Sequence, residues 1–475
     1  MLKQRKRARR GLAARCSILW IVSLLGCSSE PPLSVVLITV DTLRADALDP
    51  YRPDRAGRER TPRISQLAAG STLFERASAP MSLTRPSHFS IFTGRYPREH
   101  GVLNNQIALP DEESTLAEIL RDRGYHTGAF VGVNLLGVGS GALQGFDFHA
   151  APQSQLEWPA PRVVAQASEW LDGLPVEAPF FLWVHLFDPH QPYDPPDGYR
   201  EGLDPALAAR YPSLGWAELI QIAERNGGQI SSDVLDYGRS LYRAEVAAVD
   251  ASVGRLLDQV DAVRARDRVM IVFTADHGEC FENGIFFEHS DCLFEGGIRV
   301  PLLVRHPPQF GAGRRMSNLV SNMDIAPTVL RAVGLAVPDS MTVPPLQESD
   351  ASGERYVLLQ NPFYQPEVIP ARLHRQVVIR RVAGEPVAAF DAGVQTLGVV
   401  SGDWKFLRSA ESVALYANGV AQAAEVNVAL RNRSARVEMG ETLDRALESH
   451  PLKVIAPGDI NPELMQSLRA LGYVE

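Results

Sequence analysis

The sequence predicts an α/β protein in which helices flank a large, mostly parallel central sheet. Five segments are almost entirely apolar, and amphipathic segments lie between them. Apolar runs without alternation are typical of strands buried on both faces, as in parallel sheets, and alternation of strands with helices favours a wound α/β sandwich. With 475 residues, of which 45% are hydrophobic and 22% charged, the chain is long enough to bury a large core.

The first 27 residues differ from the rest of the chain. They contain seven Lys or Arg residues and no Asp or Glu, and a short apolar run, "CSILWIVSLL", follows the basic region. This pattern predicts a secretory signal peptide, because the apolar run is too short to span a bilayer comfortably. The run ends in "LLGC", which resembles a bacterial lipobox. We therefore expect an exported protein, lipid-anchored through Cys27 to the bacterial cell envelope at the outer membrane or the periplasmic face, with an ordinary signal peptide as the alternative.

Loss of this segment changes the formal net charge from −9 to −16. So acidic a body is a poor binder of nucleic acid, and no nucleic-acid partner is expected. An anionic substrate then needs local positive charge, such as a metal ion. Of the four cysteines, Cys280 and Cys292 remain in the body of the protein, where one disulfide between them is possible, but there is no CxxC zinc site.

The predicted elements follow in chain order. The strands are the apolar runs at 34–40, 128–133, 179–187, 268–274 and 300–304. Ser114 can cap a helix that Gly124 ends, and a longer amphipathic helix covers about 234–260. We interpret 200–232 as an excursion from the sheet. From these elements we predict a signal peptide at 1–27, a catalytic domain at 33–340, and a smaller C-terminal α+β subdomain at 341–475.

Polar side chains follow three of these runs. "SVVLITV" is followed by Asp41, "VMIVFTA" by Asp276 and His277, and "FFLWVHLF" by Asp188, with His190 two residues further on. Ligands of open α/β sheets bind beyond the carboxyl ends of the strands. Taken singly, an Asp after a strand is a common turn former or cap. Together, two carboxylates and an imidazole at one sheet edge predict a site for a divalent metal ion.

A single hydroxyl stands at the start of a short predicted helix in "MSLTRPSHFSIFTG". Pro86 suits the first turn of that helix and Gly94 its end. Thr84 therefore lies at or just before the N-terminus, where free N–H groups and the helix dipole favour negative charge. Thr84 is either a helix cap or a nucleophile stabilised by the dipole and a metal ion.

These residues, in this order, resemble the sulfatase family of the alkaline phosphatase superfamily. The resemblance runs from about residue 33 to the C-terminus and includes "VVLITVDTLRADAL", the nucleophile stretch around Thr84, "FFLWVHLFDPHQPYDPP", "IVFTADHGE", "FEHSDCLFEGGIRVPLLVRHP" and the tail "LRALGYVE". It implies an alkaline-phosphatase-like sandwich, with Asp41, Asp276 and His277 as ligands of the cation and Thr84 at the nucleophile position.

The same resemblance assigns further site residues. Asn105 is similar to a residue that contacts a substrate oxygen in related phosphoesterases, although a structural role in its loop is an open alternative. His190 and His289 resemble positions that bind substrate or protonate the leaving group. His88 stands where the motif of formylglycine sulfatases has an arginine, and we group it with the substrate-binding positions.

The departures from the family pattern decide the predicted chemistry. Sulfatases oxidise a Cys or Ser to formylglycine, but Thr84 is not a substrate for that conversion, so no formylglycine is expected. The usual Lys-x-His contacts to sulfate appear as "GVGVN". We therefore expect a hydrolase with Thr84 as nucleophile on one divalent cation (Mn, Zn or Ca), favouring phosphate or phosphonate esters over sulfate. The alternatives are a true sulfatase with unmodified Thr84 and a degenerate surface lipoprotein that binds sulfated or phosphorylated glycans.

Overall fold

The computed structural model of the protein contains, among its described residues, a large central sheet, a four-stranded C-terminal sheet and a small three-stranded sheet. The model describes residues 32–453 and 455, apart from 53, 55–59, 154–155, 283–284, 307, 349–354, 363–380, 383–384, 387–394, 411 and 418–426. The signal segment with Cys27 and the tail "LRALGYVE" lie outside the described residues. Among the described residues, no helix is both long and apolar enough to cross a bilayer.

The strands are β1 (Ser34–Val40), β2 (Thr72–Ser78), β3 (His126–Val131), β4 (Phe148–Ala150), β5 (Phe180–Leu186), β6 (Gln229–Ile230), β7 (Val269–Ala275), β8 (Arg299–Arg305), β9 (Arg314–Ser321), β10 (Tyr356–Gln360), β11 (Arg381–Val382), β12 (Glu385–Pro386), β13 (Leu397–Ser401), β14 (Trp404–Arg408) and β15 (Val413–Ala417). The helices are α1 (Pro62–Ala69), α2 (Thr84–Thr93), α3 (Pro97–His100), α4 (Leu116–Arg121), α5 (Ala160–Asp172), α6 (Pro205–Arg210), α7 (Trp216–Arg225), α8 (Ser232–Val263), α9 (Glu295–Ile298), α10 (Ile325–Ala332) and α11 (Arg433–Ser449).

Eight strands form the central sheet, in the order β4-β3-β5-β1-β7-β8-β2-β9. Strand β1 lies near the middle and pairs in parallel with β5 and β7. Every residue of these three strands is buried, as their unbroken apolar runs predict. The α/β fold with a mostly parallel sheet flanked by helices is therefore confirmed.

Strand β8 departs from the parallel arrangement. Its "VPLLV" run is buried, as predicted, but it pairs antiparallel with both β7 and β2. A strand between two covered faces has the same apolar pattern in either direction, so the composition of the run predicts burial and not polarity. The sheet is consequently mixed, with its parallel part at the site-bearing strands.

Two helices show how local sequence fixes element ends. The N-cap of helix α4 is Thr115, one residue after the predicted cap Ser114. Thr115 forms a capping box with Glu118. Helix α8 spans 32 residues, and its buried stripe packs against α1 and α5. The predicted excursion at 200–232 contains α6, α7 and β6, outside the central sheet.

The C-terminal part contains the antiparallel sheet β10-β13-β14-β15 with α11 packed on it. Its apolar residues, including Leu359, Phe406 and Leu443, form a hydrophobic cluster distinct from the main core. This agrees with a smaller C-terminal α+β element. The exact boundary at residue 340 stays a prediction.

Candidate active site

The carboxyl ends of β1 and β7 bring the predicted metal ligands together. Val40 pairs with Ala275, so the next residues, Asp41 and Asp276, leave neighbouring strands at the same edge. His277 follows, and its backbone N–H donates to Oδ1 of Asp276 at 2.8 Å. Gly278 is needed next, because a Cβ there would lie 2.1 Å from the carbonyl oxygen of Gly296. The sharp turn after β7 thus places the side chains of Asp276 and His277 in one buried space.

The side chains of Asp41, Asp276 and His277 converge. Their ligand atoms lie within 4.8 Å of one another, and all three residues are fully buried. Both oxygens of Asp41, Oδ2 of Asp276 and Nε2 of His277 have no hydrogen-bond partner among the described residues. Because buried polar atoms are normally satisfied, this set of carboxylate and imidazole donors fits a divalent cation.

The electrostatics of the three residues also favour a cation. Burial and the neighbouring charge of Asp41 raise the pKa of Asp276 well above its ordinary value. Burial lowers the pKa of His277 to about 3, so the ring is neutral at pH 7. Nδ1 of His277 lies 2.9 Å from the carbonyl oxygen of Gly278 and donates to it, which leaves the lone pair on Nε2 for a metal ion. Two buried carboxylates are costly together until a positive charge lies between them.

Thr84 is the first residue of α2, and its hydroxyl does not act as a cap. The hydroxyl oxygen is buried and has no hydrogen-bond partner among the described residues. Two contacts hold this end of the helix against Asp276: Ser87 Oγ donates to its carbonyl oxygen at 2.6 Å, and Nδ1 of His88 lies 3.4 Å from its Oδ2. The cap interpretation of Thr84 is therefore wrong, and its hydroxyl is available for chemistry.

Asn105 has one end of its amide fixed. Its Oδ1 accepts a hydrogen bond of 2.9 Å from the backbone N–H of Arg85, the residue after Thr84. This orientation leaves Nδ2 as a buried donor without a partner among the described residues. A donor near the start of α2 suits an oxygen of a bound ester, and substrate contact by Asn105 stays a prediction.

The two other predicted histidines lie next to His277, one of the predicted metal ligands. The His289 ring stacks on His277 with centroids 4.6 Å apart, and the His190 ring meets His289 edge-on at 5.2 Å. His190 Nδ1 donates to the carbonyl oxygen of Gln191 at 2.7 Å, and its Nε2 has no partner among the described residues. His289 Nδ1 lies 3.2 Å from Oε1 of Glu279.

These environments push the two pKa values apart. Burial lowers the pKa of His190, which keeps that ring neutral. Burial also disfavours the charged form of His289, but the carboxylate of Glu279 outweighs it and raises the pKa of His289. His190 is thus suited to accept a proton and His289 to donate one.

The Cys280–Cys292 disulfide connects the segments that carry His277 and His289. The two cysteines each follow a site histidine by three residues. The possible pairing predicted from the sequence is therefore present, and it ties the two stacked imidazoles to one covalent loop.

His88 lies behind Thr84, where it is fully buried. Both of its ring nitrogens are within hydrogen-bond distance of protein atoms, at 2.9 Å from the carbonyl oxygen of Thr84 and 3.1 Å from Oγ1 of Thr39. This position favours a structural role for His88, which holds Thr84, over the predicted contact with substrate.

Sequence reasoning did not single out His185 or Glu279. His185 points from β5 toward Asp41, with Nε2 3.4 Å from Oδ2. The available signal was a lone imidazole inside the apolar run "FFLWVHLF", which we counted only as part of a buried strand. Glu279 follows the "ADHG" stretch, and nothing in its spacing points to His289.

A mostly parallel sheet with buried carboxylate and imidazole side chains at its carboxyl edge has the fold and the site arrangement of alkaline-phosphatase-like ester hydrolases. The Sulfatase family model matches residues 34–335, and the chain belongs to the sulfatase family. It is 25% identical over 452 residues to an ulvan-active sulfatase of Formosa agariphila, covering 89% of this chain and 81% of that protein.

Solved structures show the same fold. A phosphonate monoester hydrolase of Agrobacterium radiobacter superposes with a TM-score of 0.66 and 20% identity, covering 91% of this chain and 98% of that one. A protein solved in complex with its substrate D-glucosamine-2-N,6-O-disulfate gives a TM-score of 0.67 and 17% identity, covering 88% and 98%. The chain is thus a sulfatase-like hydrolase of sulfuric or phosphoric esters.

Proposed function

We propose that this protein hydrolyses phosphate or phosphonate esters in preference to sulfate esters, with Thr84 as the nucleophile and one divalent cation. The observation that carries the proposal is the buried, unpartnered hydroxyl of Thr84 at the start of α2, held against Asp276 beside three unpartnered ligand groups. Phosphonate monoester hydrolases share the fold, but so does a protein solved with a sulfated sugar, so the preference for phosphorus rests on Thr84 and on "GVGVN" in place of the usual Lys-x-His contacts to sulfate. The absence of a Cys or Ser at position 84 supports a reaction without formylglycine.

Asp41, Asp276 and His277 would hold the cation, for which Mn²⁺, Zn²⁺ and Ca²⁺ are the candidates. When bound, it supplies positive charge that lowers the pKa of the Thr84 hydroxyl and offsets charge on the phosphoryl oxygens. The remaining roles belong to the protein. The N-terminus of α2 favours negative charge at Thr84, and Nδ2 of Asn105 is a donor for an oxygen of the ester.

The reaction then takes two displacements. The Thr84 hydroxyl loses its proton to solvent, its oxygen forms a bond to phosphorus, the bond from phosphorus to the leaving oxygen breaks, and His289 gives that leaving oxygen a proton. Water next attacks the phosphothreonine and gives a proton to Nε2 of His190, while the bond between phosphorus and the Thr84 oxygen breaks. The Thr84 oxygen takes a proton back from solvent, and transfer of the proton from His190 to His289 through solvent restores both rings.

The test uses protein beginning at Ser28, loaded in turn with Mn²⁺, Zn²⁺ and Ca²⁺. Aryl phosphate, a phosphodiester, a phosphonate monoester and aryl sulfate are assayed beside the variants Thr84→Ala and Thr84→Ser. We expect turnover of a phosphorus ester that is lost in Thr84→Ala and retained in part in Thr84→Ser. A fully active Thr84→Ala variant would contradict the mechanism. Turnover restricted to aryl sulfate would support a sulfatase with unmodified Thr84, and bound metal without any turnover would support a binding protein.

For the N-terminal segment we propose export and lipid anchoring at Cys27, so that the substrates are small molecules or glycan esters met at the cell envelope. The basic region, the short apolar run and "LLGC" support this. Expression of the full chain in a Gram-negative host with labelled fatty acid should label the wild type and leave Cys27→Ala unlabelled. Equal membrane association of the two proteins would count against the anchor.

A further inference from the structure

Two imidazoles lie beneath the metal-binding carboxylates, one for each. Nε2 of His185 is 3.4 Å from Oδ2 of Asp41, and Nδ1 of His88 is 3.4 Å from Oδ2 of Asp276. Both histidines are fully buried, and their rings meet edge-on with centroids 5.0 Å apart. Neither position is explained by the reaction described above.

The hydrogen bonds around His88 have a defined direction. The indole N–H of Trp183 can only donate, and it donates to Oγ1 of Thr39 at 2.9 Å. The carbonyl oxygen of Thr84 can only accept, so Nδ1 of His88, 2.9 Å away, bears the proton of the neutral ring and donates to it. Nε2 of His88 is then an acceptor, and the Thr39 hydroxyl donates its proton to it at 3.1 Å. The hydrogen bonds from Trp183 to Thr39, from Thr39 to His88 and from His88 to Thr84 thus each join a donor to an acceptor.

The sheet places the other members of this group. Thr39 of β1 pairs in register with His185 of β5, and Trp183 lies two residues earlier on the same face of β5. The His88 ring packs 5.6 Å from Trp183, so the start of α2 rests on these strand residues. His185 itself has no hydrogen-bond partner for either ring nitrogen among the described residues. The acceptor that its Nε2 approaches is the carboxylate of Asp41.

We propose that His88 and His185 form an imidazole layer that supports the site from the protein side: His185 positions Asp41 through the contact of Nε2 with Oδ2, and His88, fixed by its hydrogen bond to the backbone of Thr84, positions Asp276 by packing against its carboxylate. Both are positioning residues, because they contact metal ligands and the nucleophile's backbone and not the reacting atoms. Groups that orient metal ligands typically change metal affinity by about 10–100-fold when removed. This inference rests on the proposed metal site.

The experiment measures the dissociation constant of Mn²⁺ alone by isothermal titration calorimetry, on protein beginning at Ser28. His185→Phe keeps the ring volume and removes the donor, so Mn²⁺ binding should weaken about 10–100-fold. His185→Gln keeps an N–H donor and should recover part of that loss, whereas His185→Met, which has no donor, should not. Thr39→Val keeps the shape of Thr39 but removes the hydroxyl that orients His88, and should weaken Mn²⁺ binding several-fold.

His100 provides the matched control. It is also fully buried and contacts α2, with Nε2 3.1 Å from Oγ of Ser90, but the described residues place none of the metal ligands beside it. His100→Phe should lower the melting temperature and leave the Mn²⁺ dissociation constant within about two-fold of the wild type, since only the packing changes. Equal Mn²⁺ affinity in the wild type, His185→Phe and Thr39→Val would overturn the inference while leaving the metal site intact. Equal weakening by His100→Phe would also overturn it, and a wild type that binds no Mn²⁺ would overturn the metal site as well.

Discussion

The substitution Asp276→Asn should stabilise the metal-free protein. Asp41 and Asp276 are fully buried, and their ligand atoms lie no more than 4.8 Å apart. Two unit charges at that separation repel by about 3.5 kcal/mol at an effective dielectric constant of about 20. Burial first, and the charge of Asp41 second, raise the pKa of Asp276, so a proton relieves the repulsion at lower pH and the gain from the substitution is largest above that pKa. Asparagine keeps an oxygen for the N–H of His277 and removes the charge, so up to about 3 kcal/mol of destabilisation should disappear.

The same substitution should abolish the response to metal. A cation present at about 1,000 times its dissociation constant adds about 4 kcal/mol to the stability of a protein that binds it only when folded. For a chain of this size, an unfolding entropy of about 2 cal/mol/K per residue makes 1 kcal/mol equivalent to about 1 °C. We therefore expect Mn²⁺ to raise the melting temperature of the wild type by about 4 °C, whereas Asp276→Asn begins about 3 °C higher and shows no rise.

Differential scanning calorimetry with EDTA or with Mn²⁺ measures both effects. Asp250→Asn is the control: Asp250 is buried and its raised pKa, about 6, comes first from burial, but its carboxylate accepts hydrogen bonds from the N–H groups of Arg63 and Ile64. Asp250→Asn should lower the melting temperature and keep the full Mn²⁺ shift. A lower melting temperature for metal-free Asp276→Asn, or an unchanged Mn²⁺ shift in that variant, would refute the charge-repulsion account.

Three further predictions concern the acid, the amide donor and the second core. Glu279→Gln removes the charge that raises the pKa of His289. Because a general acid must be protonated, the fall of kcat/KM at alkaline pH should move to lower pH at saturating metal. An unchanged alkaline side of the pH profile would exclude His289 as the acid. Asn105→Ala removes the unpartnered Nδ2 and should reduce kcat by about 10²–10³-fold without changing the Mn²⁺ dissociation constant, and a loss confined to KM would indicate binding alone. Leu443→Ala opens a cavity in the C-terminal cluster and should cost about 2–5 kcal/mol of unfolding free energy, measured in urea; unchanged stability would show that this cluster contributes little.

The sequence predicted those parts of the site that follow strand ends. Asp41 and Asp276 each come directly after an unbroken apolar run, and parallel neighbours bring such ends to one edge. The start of α2 was predictable from Pro86 and its end from Gly94, because proline favours the first turn of a helix and glycine the position after its last turn. Rules that use only neighbouring residues in the sequence therefore sufficed to predict these residues, because their place along one strand or helix determines their place in the fold.

The remaining features depend on contacts between distant segments. His185 stands in an apolar run, and only the pairing of β5 with β1 brings it to Asp41. The role of Glu279 depends on where the loop with His289 returns. The antiparallel direction of β8 follows from how the chain re-enters the sheet, which an apolar pentapeptide does not encode. The choice of Thr115 over Ser114 as a cap is a one-residue decision between two similar hydroxyls.

The proposed nucleophile and the proposed metal ligands reside on different elements: Thr84 begins a helix, whereas Asp41 and Asp276 leave two strands in the middle of the sheet. A substitution at position 84 consequently changes the proposed attacking group without changing the strands that carry the carboxylates. Because the two parts are independent, the same scaffold can carry different attacking groups, and a single codon change can exchange one for another. Evolution of new reactivity in this fold can therefore proceed by replacing one side chain while the ion-binding platform is inherited unchanged.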